Sequence, residues 1–201
     1  MLPLSSKSIE RLAGVHPLLA AIVLRAKQIC GLEFQVTDGA RSLDTQVLNR
    51  SRGKSKTLSS FHLIGLAVDL HATSDDGAQA LWEPVSLYQT IAAAMKQAAE
   101  EFGVTIVWGG DWHGSWDNVH FQIEGAFLGL AIGSKGQAVT NVQTLLNLVL
   151  PEPLNVDGHF GPMTDIAVRR YKEAMGLPIN GIVTYPMLDS MIPAFERSLI
   201  K

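Results

Sequence analysis

The sequence predicts an α+β domain, a small and mainly antiparallel sheet with flanking helices, followed by a small all-α domain. Three observations carry this prediction. Across the first ~125 residues, apolar residues recur at helical spacing in some segments and alternate in others. Gly125 to Gly136 then interrupts the pattern with four glycines. Beyond that stretch the spacing is helical throughout.

Pro17 to Cys30 reads as the first helix. Proline suits a first helical position, and Gly31 suits a C-terminal cap. Leu18, Leu19, Ile22, Val23, Ala26 and Ile29 form its apolar stripe. Glu33 to Thr37 alternates like a strand, with Phe34 and Val36 on one face. Ser42 is placed to cap a short helix through Asn49. Arg50 to Ser59 is polar and basic, which predicts a loop with a solvated charged surface. Leu66 to Leu70 reads as a strand. Pro84 opens a long helix with the stripe Tyr88, Ile91, Ala92, Met95, Ala99 and Phe102, and Gly103 ends it. Val104 to Trp108 and Val119 to Ile123 complete the strands.

The glycine-rich stretch predicts a boundary, giving domains 1–129 and 130–201. In the second domain Val139, Val142, Leu145, Leu146 and Val149 fit one helix. Thr164 to Met175 fits another, with Val168, Tyr171 and Met175 inward, and Pro186 to Ile192 a third. A weak repeat relates Leu154–Phe160 to Leu177–Val183. Each copy sets Asp157 or Asn180 before a glycine, which predicts a tight turn leading into a helix.

Composition excludes several classes. The 201 residues are 47% hydrophobic and 17% charged, as in a globular protein with a core. A net charge of -3 argues against a nucleic-acid partner. The single cysteine, Cys30, excludes an intrachain disulfide and a cysteine-rich metal site, and its apolar surroundings predict a buried thiol. The first residues lack the pattern of a secretory signal, and no run is apolar enough to span a bilayer. The expectation is synthesis in a cytoplasm without stable membrane insertion.

Chemistry concentrates in two short segments. His62 and Asp69 lie in one, and Asp117 and His120 in the other. Two imidazoles and a carboxylate make a sound catalytic zinc set, which leaves a position for water and makes that water nucleophilic near neutral pH. Asp117 is a fourth polar residue that could take up a proton. Spacing alone leaves alternatives open. A buried histidine is more often a hydrogen-bonded core residue than a ligand. His71 lies on the same strand face as Asp69, so a His62, Asp69, His71 site is conceivable, and His113 is a further candidate.

The two segments together resemble a known family. Ser60, His62, Gly65, Ala67 and Asp69, followed by Asp117 and His120, match the signature of the zinc D-alanyl-D-alanine carboxypeptidase family. Thr37 to Ser42 resembles the family segment that carries a substrate-site arginine. Trp108-Gly109-Gly110-Asp111-Trp112 and His120-Phe121-Gln122 resemble one branch, the phage L-alanyl-D-glutamate endopeptidases, which are endolysins. The resemblance implies one Zn²⁺ per chain held by His62, Asp69 and His120, with Asp117 as general base. It gives Arg41 the scissile carbonyl or its developing oxyanion, and Ser60 a place beside His62 or substrate. His71 and His113 match no ligand position.

The tail resembles the three-helix peptidoglycan-binding domain. Val139, Val142, Gln143 and Leu146, Asp157-Gly158 with Phe160-Gly161 and Thr164, Ala167-Val168, and Gly181-Ile182-Val183 carry that likeness, with departures at Asn180 and Thr184. Together the two resemblances imply a monomeric enzyme that cuts the L-Ala–D-Glu bond of bacterial peptidoglycan. It would be made in the host cytoplasm and reach the periplasm and cell wall once a membrane pore forms. The rival expectations are a D-Ala-D-Ala carboxypeptidase or dipeptidase, and a non-enzymatic wall-binding protein with a vestigial metal site.

Overall fold

The computed structural model describes residues 2–114, 117–125 and 128–200. Among them the chain forms the α+β fold that the sequence predicts. Helix α1 (Ser6–Leu12) precedes α2 (Pro17–Ile29), strand β1 (Phe34–Asp38) and α3 (Leu43–Ser51). A 3-10 turn (Phe61–Ile64) leads into β2 (Ala67–Thr73) and the short β3 (Ala80–Leu81). Then come α4 (Val85–Glu101), β4 (Ile106–Trp108) and β5 (His120–Ile123), and finally α5 (Gln137–Val149), α6 (Pro162–Ala174) and α7 (Tyr185–Ser198). The sheet order is β1-β2-β5-β4, with β3 also on β2, and every pairing is antiparallel.

Local chemistry explains most boundaries. Pro17 stands at the first position of α2, where no backbone donor is needed, and His16 Nδ1 accepts from the Leu18 amide at 3.3 Å. Ser42 caps α3 by accepting from the Thr45 amide at 3.1 Å. That helix continues to Ser51, so the first residues of the expected loop are helical. Helix α1 and strand β3 were not expected. α1 is only seven residues long and is capped by Ser5, and β3 is two residues long, so neither shows a full period in sequence.

The residues group into two compact units. One comprises Met1–Ala40 and Leu66–Glu124. In it α2 and α4 pack on each other, and α4 packs on β2. Leu19, Ile22, Val23, Ile91 and Met95 meet Phe34, Val68, Leu70, Phe121 and Ile123 as its fully buried core. Each such side chain contributes about 1.5–3 kcal/mol by leaving water. Cys30 is buried, as expected. Phe102, by contrast, is 45% exposed, because α4 ends at Glu101 and the chain turns away from the core. Lys27 lies on the buried face of α2, where its ammonium donates to Glu33 Oε2 at 2.6 Å and to the Phe34 carbonyl at 3.0 Å.

The other unit comprises Arg41–Gly65 and Gly125–Lys201. Helices α5, α6 and α7 bury Val139, Val142, Leu145, Leu146, Val168, Met187, Leu188 and Met191, together with Leu63 and Ile64 of the 3-10 turn. Met175 lies past the end of α6 and is 50% exposed rather than inward. Helix α7 runs well beyond Ile192, through an internal Pro193. Gly158 and Gly181, the two glycines of the repeat, both take φ of 70°, the left-handed conformation that the turn requires. Gln143 organises the first copy: its amide accepts from the Asp157 and Gly158 amides and donates to Asp157 Oδ1 at 2.9 Å.

Candidate metal centre

Strand pairing brings Asp69 and His120 face to face, as register partners across β2 and β5. Side chains of directly opposed residues share a face, which is why two groups 51 positions apart meet. His120 Nδ1 lies 3.3 Å from Asp69 Oδ1. His120 Nε2 lies 2.9 Å from Gln122 Oε1, two residues along the same strand face. Gln122 donates its own amide hydrogen to Glu124, which fixes its oxygen toward the imidazole. Asp69 is anchored in turn, its carbonyl accepting from Thr37 Oγ1 at 3.0 Å.

His120 is buried, and burial alone would lower its pKa. The hydrogen bond and charge of Asp69, with Gln122 and the Asp117 carboxylate, outweigh burial and raise it. Both ring nitrogens therefore face acceptors. A doubly protonated ring satisfies them, and so does a neutral ring with a cation in place of the Nδ1 proton.

Asp117 begins the turn that leads into β5, where its carbonyl accepts from the His120 amide at 3.3 Å. The segment Trp108 to Trp112 holds this turn. Trp108 Nε1 donates to the Asn118 carbonyl at 2.8 Å. Gly109 admits the Asp117 backbone so closely that a Cβ there would lie 2.3 Å from the Asp117 carbonyl oxygen. The Trp112 ring lies 5.2 Å from that of His120, centroid to centroid.

His62 sits in the 3-10 turn and is buried. Ser60 caps that turn, its hydroxyl accepting from the His62 amide at 3.4 Å. The His62 carbonyl accepts from the Arg41 amide at 3.0 Å. The Arg41 guanidinium donates to Gln46 Oε1 at 2.8 Å. Gln46 is itself fully buried and donates to the Thr57 carbonyl at 2.7 Å and to Ser55 Oγ at 2.9 Å.

The ligand atoms of His62, Asp69 and His120 all lie within 4.8 Å of one another. Two imidazoles and a carboxylate so gathered could hold a metal ion, and such a donor set is one that zinc accepts. His71 does not join it. That ring lies 6.0 Å from Trp82, and burial followed by the charge of Arg11 lowers its pKa. His113 is exposed. Gln46 was not anticipated as part of the site. Trp108 and Gln122 were singled out only within the motifs that resemble the family branch, with no role given to either, and the side-chain alternation of β5, which sets Gln122 beside His120, was a further usable signal.

Two expected results follow. Gln122→Ala should weaken metal binding by about 10–100-fold, because the His120 ring loses the acceptor that fixes its orientation. Chelator competition measures this, and an unchanged affinity would remove Gln122 from the site. Gly109→Ala should displace the Asp117 backbone, lowering turnover by up to about 10²-fold while the metal stays bound. Turnover at the native rate in the folded variant would show that the turn tolerates the shift.

Comparison with known proteins gives consistent similarities. A family model described as phage L-alanyl-D-glutamate peptidase matches residues 1–129, and one described as a peptidoglycan binding domain matches residues 135–191. An L-alanyl-D-glutamate peptidase of Listeria phage A118 is 28% identical over 137 residues, covering 68% of this chain and 47% of that protein. The chain thus matches about half the length of that relative. One of Escherichia phage T5 is 26% identical over 111 residues, covering 54% of this chain and 80% of that protein. The crystal structure of Serratia marcescens L-Ala D-Glu endopeptidase ChiX is similar with a TM-score of 0.56 and 38% identity, over 61% of this chain and 90% of that one.

Proposed function

Because the chain belongs to the phage L-alanyl-D-glutamate peptidase family, whose model matches residues 1–129, we propose that it is a zinc endopeptidase cutting the L-Ala–D-Glu bond of peptidoglycan stem peptides, an endolysin of host lysis. The observation that carries this reading is the gathering of His62, Asp69 and His120 within 4.8 Å. These residues would hold one zinc per chain. Bound zinc supplies a Lewis acid that polarises the peptide carbonyl and makes water nucleophilic near pH 7. Asp117 takes the proton from the attacking water and returns it to the departing amine. Arg41, steadied by Gln46, sets fixed positive charge beside the carbonyl oxygen, where negative charge grows. Ser60 shapes the turn that presents His62.

Residues 1–129 carry the chemistry in this reading, and 130–201 bind the wall, which raises local substrate concentration on an insoluble polymer. Among the described residues no helix is long and apolar enough to cross a membrane. By the likeness to the phage peptidase family, a separate membrane pore would release the protein from the host cytoplasm to the wall. It works as a monomer.

The test is digestion of purified peptidoglycan by the zinc-loaded full chain, with mass analysis of the new termini. New D-Glu amino termini are expected. Released D-Ala would replace the bond assignment with a carboxypeptidase. No product from a folded, metal-loaded protein would end the enzymatic reading.

A further inference from the structure

The buried amide of Asn141 is not used by the chemistry above, yet it makes four hydrogen bonds, two of them to the Arg41 segment. It lies on α5, within the part of the chain that matches a peptidoglycan binding domain, and is 1% exposed. Its Nδ2 donates to the Arg41 carbonyl and to the Leu63 carbonyl, each at 2.8 Å. Its Oδ1 accepts from the Leu43 amide at 3.3 Å and from Gln137 Nε2 at 3.0 Å. Both amide hydrogens and both lone-pair sites of the oxygen are thereby engaged. A buried polar group that is fully satisfied fixes the segments it joins, because any displacement leaves donors or acceptors unpaired away from water.

The segments it joins are those that present two site residues. One holds Arg41 and the start of α3. The other is the 3-10 turn of His62. Helix α7 supports the same turn: the Tyr185 ring stacks on Phe61 at 3.8 Å and 6°, and its hydroxyl donates to the Ser59 carbonyl at 3.4 Å. A helical module that only tethered the enzyme to its polymer would need none of these bonds.

We propose that Asn141 is a positioning residue for the peptidase reaction, and that the C-terminal helices are a structural part of the active site as well as a wall anchor. The inference rests on the proposed endopeptidase reading. Asn141 acts through Arg41 and the His62 turn, and touches no substrate.

The experiment uses the full-length, zinc-loaded chain and a short soluble stem peptide, whose cleavage does not depend on wall attachment. Asn141→Ala should lower kcat by about 10²-fold, the scale expected for a misplaced catalytic group, with KM changed far less. Wall pull-down and zinc content should match wild type. Asn141→Asp should fare no better, since a carboxylate still accepts from Leu43 but cannot donate to two carbonyls. In an Arg41→Ala background, Asn141→Ala should cost much less than it does alone, as expected of groups that act together. If Asn141→Ala does not fold, Tyr185→Ala at its half-buried position carries the same comparison. A folded variant that cuts at the wild-type rate, or a loss that multiplies fully with Arg41→Ala, would overturn the proposal. A wild-type chain that leaves the peptide uncut would instead sink the endopeptidase reading, and this inference with it.

Discussion

Asp117→Asn is expected to keep its metal and its fold and to lose cleavage by about 10²–10⁴-fold, the usual contribution of a general base. Asparagine fills the same space but cannot accept the proton. The turn that holds Asp117 depends on backbone contacts, with Gly109 behind its carbonyl and Trp108 on the neighbouring Asn118 carbonyl, so the substitution leaves those intact. Metal retention is expected because Asp117 stands outside the His62, Asp69 and His120 group. The measurement is turnover of a defined stem peptide, with zinc content read on the same sample. A near-native rate would move the base elsewhere. The obvious alternative, Asp111, is exposed and tied to Lys96 at 2.6 Å. Loss of zinc together with activity would make Asp117 a ligand and reopen the role of Asp69.

His62→Ala is expected to lose metal and activity together. It removes one of two imidazoles from a three-residue set, so the loss of affinity should exceed the about 10–100-fold given to an outer partner such as Gln122. His71→Ala should keep its zinc, since His71 stands outside the triad. Elemental analysis of both variants decides the matter, and a melting curve shows that each is folded. Full occupancy in His62→Ala would dismantle the site as drawn.

The sequence by itself determined the fold class, the family and the residues with ligand chemistry. Pro17 and Gly31 bracket α2 because one lacks a backbone donor and the other accepts positive φ, properties that belong to the residue and need no partner. His62, Asp69 and His120 are singled out by the paired motifs that resemble the family, because imidazole and carboxylate chemistry alone leaves His71 and His113 equally eligible. Helical periodicity identified the buried faces but overran them at Phe102 and Met175, because a period says nothing of where the chain leaves the core.

Only the tertiary structure decided which groups support the site. Gln46, Gln122 and Asn141 are neutral amides, whose value lies wholly in the partners they find. Asn141 reads in sequence as a polar interruption of an apolar helix. Its partners Arg41 and Leu63 lie 100 and 78 positions away. Such a residue carries no intrinsic signal, because a hydrogen bond is fixed by distance and angle in space, and those exist only after the chain has folded.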